Sequence, residues 1–359
     1  MPSIFIKDDL RASVEAASGG KQTVLYTASG QPTYMNIISK FNGPDVDAGL
    51  PEGVHPMFNI GGVEKSEYFY GAYPGIVKNG ELLSLPGVDC STSINHDQAV
   101  TYARACGAGH HVVPNVAAAG IALWCRANSF TPRGNTGYGR AHDAVWETGR
   151  RVDNLAPGTA SGAARTLTGS GPNSWNHDGS NSGISDLCGN VNEWSPGMRI
   201  NEGEIQIIAN NDAALNATDL SAGSTAWKAI DGATGALVAP GSANTVKYAA
   251  SGTANYTLVR ASGSSFEGMT NPGTIPVGAT ALALLKAYGL YPVAALLGGT
   301  IAVPAANGDA FYLDVTGERL PLRFGIWSSG ATAGLSYLYL NFVRTSADGG
   351  IGARPGFVI

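Results

Sequence analysis

The sequence predicts an α+β fold in which short helices pack on antiparallel sheets, and three observations carry that prediction. Charged residues make up only 14% of the 359 residues, against about 25% in an average soluble domain, and glycine reaches 49, so long helices with charged outer faces are not encoded. Short aromatic and β-branched runs bounded by Gly and Pro recur near the N-terminus, which is a strand signal. Two segments only carry small apolar residues at helical spacing. A loop-rich body with a sizeable core follows.

In chain order, strands are predicted at Val24–Ala28, Thr33–Ile38 and Glu67–Tyr73, so residues 1–50 read as an N-terminal β segment ahead of a domain over 51–359. A helix is predicted over Asn95–Cys106, with Asn95 as cap and Ala99, Ala103 and Cys106 on one face. A second is predicted over Asn115–Asn128, again with its leading Asn as cap. Residues 131–183 are rich in Gly, Asn, Ser, Pro and Asp and read as loops ordered only by tertiary packing. From 199 to 320 the composition turns to Ser, Thr, Gly and Ala around a strand-like Glu204–Ile208, which marks a large insertion. The most apolar run, Ala279–Val303, is broken by Lys286, Gly289, Pro292 and Gly298-Gly299, so it reads as core and not as a membrane span.

A net charge of -5 leaves no basic stripe to neutralise phosphates, which argues against nucleic acid as partner. The first residues lack the basic and apolar regions of a signal peptide, so production and folding in a cytoplasm are expected. Cys90, Cys106, Cys125 and Cys188 form no CxxC pair, and buried free thiols are expected. His110 and His111 would point to opposite faces of an extended segment, and a turn with one partly buried His is expected instead of a metal pair. The sequons at Asn216 and Asn255 and the Gly-rich Gly134–Gly139 stretch carry no assigned role beyond a turn at the latter.

Three anchors occur in order: Pro132-Arg-Gly-Asn135, Asp186-Leu-Cys-Gly-Asn-Val-Asn-Glu-Trp194, and a tail with Arg323-Phe-Gly-Ile-Trp327 and Ile351-Gly-Ala-Arg-Pro355. The ordered set resembles the C-type-lectin fold of formylglycine-generating-enzyme-like proteins, with patterns P-x-G-N, D-L-x-G-N-V-x-E-W, R-G-G-x-W and G-F-R-P. Phe324 stands where that family usually has Gly, and Ala353 where it often has Phe. The tail, together with the run from His55 to Glu67 and Tyr73, further resembles the variable proteins of diversity-generating retroelements, including phage tropism determinants. The resemblance implies a decorated C-type-lectin fold with a variable region at about 321–350.

In such systems template Asn codons are randomised into a set that cannot encode Lys, Glu, Gln, Met or Trp. The chain holds 8 Lys, 11 Glu, 4 Gln and 5 Met, so roughly three would fall in Pro321–Ile359 by proportion; none does, and the one Trp there is the framework Trp327. The changeable surface implied by the resemblance comprises Phe324, Ile326, Ser328, Ser329, Thr332, Tyr337, Tyr339, Asn341, Phe342, Thr345, Asp348 and Gly350. Strand alternation sets Leu338 and Leu340 on one face and Tyr337, Tyr339 and Asn341 on the other. Tyr339 and Phe342 are expected to anchor a partner, because exposed aromatic side chains give large contact area at low entropic cost.

The resemblance implies a non-enzymatic receptor binder at a virion tail tip, made in the host cytoplasm, whose partner is a host-surface protein or glycan and whose tips are often trimeric. No membrane insertion is expected. The enzymatic relatives need a cysteine pair near the C-terminal arginine motif, and no Cys follows Cys188; His96, His110 and His111 lack the H-x3-H-x-E spacing of an iron site. An oxidoreductase of that family and a structural virion protein stand as the alternatives. No cofactor is expected, although Asp186, Asn190, Asn192 and Glu193 offer oxygens to a structural Ca²⁺. The competing reading has Asn190 and Glu193 bonding loops while Trp194 fills the core.

Overall fold

The structure, a computed structural model, describes residues 8–260, 265–293 and 308–359. It is mixed α+β, dominated by sheets with a few short helices. One sheet runs in the order Gln22–Tyr26, Pro32–Ser39, Glu67–Gly71, Pro355–Phe357, His110–Val112, antiparallel throughout. The end of the chain therefore lies between strands from the first third. Because Pro32–Ser39 pairs with Glu67–Gly71, the segment before residue 50 shares its sheet with the body of the molecule.

The second sheet is built around Glu318–Arg323. One edge of that strand meets Met198–Asn201 and Asn192–Trp194, the other meets Leu338–Phe342, and Phe311–Leu313 lies beyond. Glu204–Ile208 extends this sheet through the Met198–Asn201 hairpin and buries Ile205 and Ile207 in the main core. The 199–320 segment thus contributes strands and core to the body. Among the described residues three pairings are parallel, Phe311–Leu313 with Leu338–Phe342, Ile351–Ala353 with Asn192–Trp194, and Lys247–Ala249 with Thr257–Val259, against the expectation of antiparallel sheets. The first two join strands that are not sequence neighbours, a geometry that local strand signals do not encode.

The helix His96–Ala105 begins as expected: Asn95 and Gln98 form a reciprocal capping box, and His96, Ala99 and Ala103 are buried. The helix Asn115–Ala127 is buried along most of its length, but Pro114 holds its N-cap position. Asn115 is inside the helix, and its side chain is turned to tertiary partners, so the expected cap is corrected. A further helix, Asp9–Ser18, occupies part of the segment read as β; Asp8 caps it and Gly19 ends it with a left-handed φ of 62°. The helix Ala279–Ala287 buries Ala281, Leu285 and Ala287, as the core reading required; the rest of that apolar run from 294 on lies outside the described residues. No helix among the described residues is long and apolar enough to cross a membrane.

Residues 131–183 form loops tied by isolated bridges such as Arg151 to Thr166 and by a 3-10 turn at Asn173–Trp175. His110 and His111 form a strand in which both are buried. His111 bonds the Tyr68 hydroxyl at 2.7 Å and the Gly109 carbonyl at 2.9 Å, while His110 packs on Phe357. The expected turn with one partly buried His is corrected accordingly, by the pairing of this strand with Pro355–Phe357.

Candidate functional site

The three sequence anchors meet under the tail and form its frame. Gly134-Asn135 and Gly189-Asn190 clasp each other: a Cβ on Gly134 would strike the Cys188 carbonyl, and one on Gly189 the Asn135 carbonyl, so only glycine permits the approach. The Asn190 amide donates to the Asn135 carbonyl at 2.8 Å, and Asn135 Nδ2 donates to Asn190 Oδ1 at 3.1 Å. Asn190 Oδ1 also accepts from Thr166 N at 2.8 Å, which orders the long loop.

Arg354 and Glu193 form the deepest pin. Arg354 Nη2 donates to Glu193 Oε1 at 2.7 Å and to the Ser185 and Asp186 carbonyls, while Nη1 donates to the Gly71 carbonyl at 3.0 Å. Burial pushes the Glu193 carboxyl up, and Arg354 opposes it. Burial lowers the Arg354 guanidinium, and Glu193 first, then Tyr70 and Asp186, raise it past its ordinary value. Trp194 is wholly buried and donates its indole N–H to the Ile94 carbonyl at 3.0 Å.

This arrangement decides the fit of calcium. Glu193 is taken by Arg354, Asn190 Oδ1 by three donors, and the Asp186 carbonyl by the same guanidinium. One oxygen each of Asp186 and Asn192 is left unpartnered, and burial pushes the Asp186 carboxyl up to about 6. A cation that takes six to eight oxygens does not fit beside a buried guanidinium here. Among the described residues no group of three or more His, Cys, Asp or Glu could hold a metal ion.

Above the frame, the tail is held chiefly through its main chain. The Gly189 amide donates to the Phe324 carbonyl (2.9 Å), Trp327 N to the Asn190 carbonyl (3.2 Å), Tyr138 N to the Trp327 carbonyl (2.8 Å) and Gly330 N to the Thr136 carbonyl (2.9 Å). The same holds further on: the carbonyls of Thr332, Asp348 and Gly350 accept from Ala310, Ser93 and Asn192 amides at 2.8–2.9 Å. These bonds exist whatever side chain the tail position carries.

Of the twelve expected surface positions, Ser328, Asn341, Thr345 and Asp348 are exposed, and Ile326, Ser329, Thr332, Tyr339 and Phe342 are half-buried. Phe324, Tyr337 and Gly350 are buried and are corrected as members of the surface. Phe324 points into the main core with a left-handed φ of 76°. Tyr337 is covered by Tyr312 and Tyr339, with ring centroids 6.0 Å away in each case. Gly350 lies under Ile326 and Asp348.

A β-bulge sets the aromatic face. Leu322 pairs with Tyr339 and Leu320 with Phe342, so Pro321 on one strand opposes two residues, Leu340 and Asn341, on the other. The extra residue turns Phe342 onto the same side as Tyr339, where their rings meet at 4.8 Å, instead of leaving it with Leu340 as alternation requires. Phe342 then leans edge-on against Trp194 at 6.5 Å. Burial, then Tyr312 and Asp348, raise the Tyr339 phenol. Asp348 and Ile326 both lie over Gly350, while Tyr339 and Phe342 form an aromatic patch.

Tyr312 belongs to this patch and was not anticipated. It is half-buried, pairs in register with Tyr339, and stacks tilted on it at 4.5 Å. Phe311-Tyr-Leu313 reads as a short strand in sequence, but its pairing to Leu338–Phe342 is parallel and non-local. No protein-family model matches the chain, and no curated protein matches it in sequence.

Proposed function

We propose that the chain is a non-enzymatic ligand-binding protein of decorated C-type-lectin fold. Its tail displays a diversified surface centred on Tyr339 and Phe342, carried on a phage or prophage tail tip and directed at a host-surface protein or glycan. The observation that carries this reading is the main-chain anchoring of the segment 324–350: its backbone is fixed by amides and carbonyls, while nine of the twelve positions keep their side chains at least partly in solvent. A surface held in this way tolerates substitution, because the changed atoms contribute little to the core.

Two further observations support it. The anchors that suggested the family meet as two buried pairs, Asn135 with Asn190 and Glu193 with Arg354. Phe324 holds a left-handed φ at the position where the family usually has glycine.

The test is a library. Ile326, Ser328, Ser329, Tyr339, Asn341, Phe342, Thr345 and Asp348 are randomised together, displayed, and selected against hen egg-white lysozyme as probe. The expected result is that a large fraction of unselected clones resists protease as the parent does and that lysozyme binders emerge. A library that is overwhelmingly unfolded, or binders whose contacts map elsewhere, refutes the proposal. In the adjoining DNA, the expected finding is a near-copy of the codons for 321–350 differing at template adenines, beside a reverse-transcriptase gene.

A further inference from the structure

Arg165 reaches from the long loop to the tail, and the frame sets its place there. The carbonyl before it, that of Ala164, accepts from Asn135 Nδ2 at 2.8 Å, and the amide after it, that of Thr166, donates to Asn190 Oδ1 at 2.8 Å. The Arg165 carbonyl accepts from Val152 N at 3.0 Å. The backbone of this one arginine is thus tied on both sides to the clasp of the two Gly-Asn anchors. Its head group is held as well: Nε and Nη2 donate to the two oxygens of Asp89 at 2.9 and 2.8 Å, a two-pronged geometry that a lysine does not reproduce.

The same guanidinium makes two contacts with the tail. Nη1 donates to the Gly349 carbonyl at 3.2 Å, and the guanidinium carbon lies 5.9 Å from the centre of the Trp327 ring, within the range of a cation–π contact. Each contact falls between two positions of the expected surface, Trp327 between Ile326 and Ser328 and Gly349 between Asp348 and Gly350. Neither depends on the side chains at those positions. Trp327 is the framework residue, its amide bonded to the Asn190 carbonyl at 3.2 Å, and Gly349 offers a main-chain oxygen that accepts from no other group among the described residues. The Asp89 side chain is 43% exposed, and an ion pair open to water contributes little to stability, so the consequence of these contacts lies in local geometry.

We infer that Arg165 is a positioning residue of the binding surface: it couples the turn at 326–329 to the turn at 348–350 and holds both in one arrangement before a partner arrives. The inference rests on the ligand-binding reading of the tail. A surface fixed before encounter loses less conformational freedom on binding, and the gain is seen as slower dissociation. Arg165 supplies that fixation from outside the segment that varies.

The variant that tests this is Arg165→Met, which keeps the apolar stem and removes every N–H of the head group. The first measurement is amide hydrogen exchange on the full chain without ligand, read over peptides covering 324–334 and 343–352, which hold bonded amides at Trp327, Gly330, Gly350 and Ile351. Expected is exchange at least about fivefold faster in both peptides, with Tm lower by less than about 4 °C. The second is surface plasmon resonance of a lysozyme binder from the randomised library, in which Arg165→Met should raise Kd about tenfold through koff, with kon nearly unchanged. Arg165→Lys can keep one bond but not both prongs and should restore part of each effect. Asp89→Ala frees the head group without altering it and should shift both readings in the same direction by less; it decides the matter if Arg165→Met does not fold. Unchanged exchange in either peptide overturns the coupling, and faster exchange with an unchanged koff overturns the positioning role. If the library yields no lysozyme binder, the reading of the tail has failed, and the exchange result alone decides whether Arg165 couples the two turns.

Discussion

Glu193→Gln isolates the frame from the face. The substitution preserves shape and leaves an oxygen facing Arg354, but it removes the only carboxylate bonded to a guanidinium that is wholly buried. The bonds of Arg354 to the Gly71, Ser185 and Asp186 carbonyls remain, and they solvate the charge without cancelling it. Breaking a buried pair from one side costs about 3–5 kcal/mol. At roughly 2–4 °C per kcal/mol, the expected fall in Tm is on the order of 6–20 °C. The assay is equilibrium guanidinium unfolding at neutral pH by circular dichroism, with the slope checked to be unchanged so that the midpoint reports stability. The control is Asn341→Ser with Asp348→Asn on the exposed face, each expected within about 0.5 kcal/mol. A second control replaces both Glu193 and Arg354 by Met, which should recover much of the loss because no buried charge is stranded. A single Glu193→Gln loss below about 1 kcal/mol would refute the reasoning, since Arg354 would then not need its partner.

Three other predictions follow from burial. Glu267 is almost fully buried with both carboxyl oxygens unpartnered, and burial together with the Asp309 carboxylate pushes it up from its ordinary 4.5. The folded chain therefore holds this proton more tightly than the unfolded chain, and the stability it contributes is full below the ordinary value and is lost as pH rises toward and past neutrality. Glu267→Gln should gain stability over the parent at about pH 8 but not at about pH 5; an equal gap at both refutes the assignment. Tyr337→Ala should destabilise by about 3–5 kcal/mol as a buried aromatic truncation, and Tyr339→Ala by less than about 2 kcal/mol; a reversed order in urea unfolding would overturn the division of the two rings. The four thiols are buried, with Cys90 and Cys106 pushed up to about 12 by burial and Cys125 and Cys188 also raised. They should be silent to Ellman's reagent in the native chain and react together on unfolding; rapid labelling of any one refutes its placement.

Local signals were legible where the determinants are local. Asn95 and Gln98 announce the start of a helix within four residues, and Gly-bounded aromatic runs announce three strands of the first sheet. The helix Asp9–Ser18 was equally legible, with Asp8 as cap, Gly19 as stop and Leu, Arg, Glu and Ala between, but the β reading of the neighbouring runs was carried across it. Asn115 was misread for a non-local reason: its side chain serves Arg323, 208 positions away. No sequence pattern announces the bulge that moves Phe342 to the side of Tyr339, nor the parallel pairing that brings in Tyr312. The motif residues were read as a set, yet the clasp of Gly134-Asn135 with Gly189-Asn190 shows why they occur as a set: each glycine removes the Cβ that the other loop's carbonyl would strike.

The main-chain anchoring also makes freedom to vary uneven across the face. Ser328, Asn341 and Thr345 make no side-chain hydrogen bond among the described residues, so their replacement changes the display and nothing beneath it. Ser329 and Thr332 cap their own turn, with Ile326 N donating to Ser329 Oγ at 3.0 Å and Thr332 Oγ1 donating to the Ser329 carbonyl at 2.7 Å, and Asp348 Oδ1 accepts from Gly350 N at 2.7 Å. Each such local bond contributes about 0.5–1.5 kcal/mol, which is small against the anchoring of the loop by Asn190 and Thr136. Gly350 is the opposite case, since a side chain there meets Ile326 and Asp348 in ordinary to tight contact, so a larger residue must displace a neighbour on the face itself. The order of tolerance is therefore Ser328, Asn341 and Thr345 first, then Ser329, Thr332 and Asp348, then Gly350, with Phe324 and Tyr337 last because they fill the core. Residue frequencies in the protease-resistant, unselected fraction of the randomised library, extended to Thr332, Gly350, Phe324 and Tyr337, measure that order directly. Uniform tolerance across all of these positions would show that burial, and not the backbone, has been overestimated as the constraint.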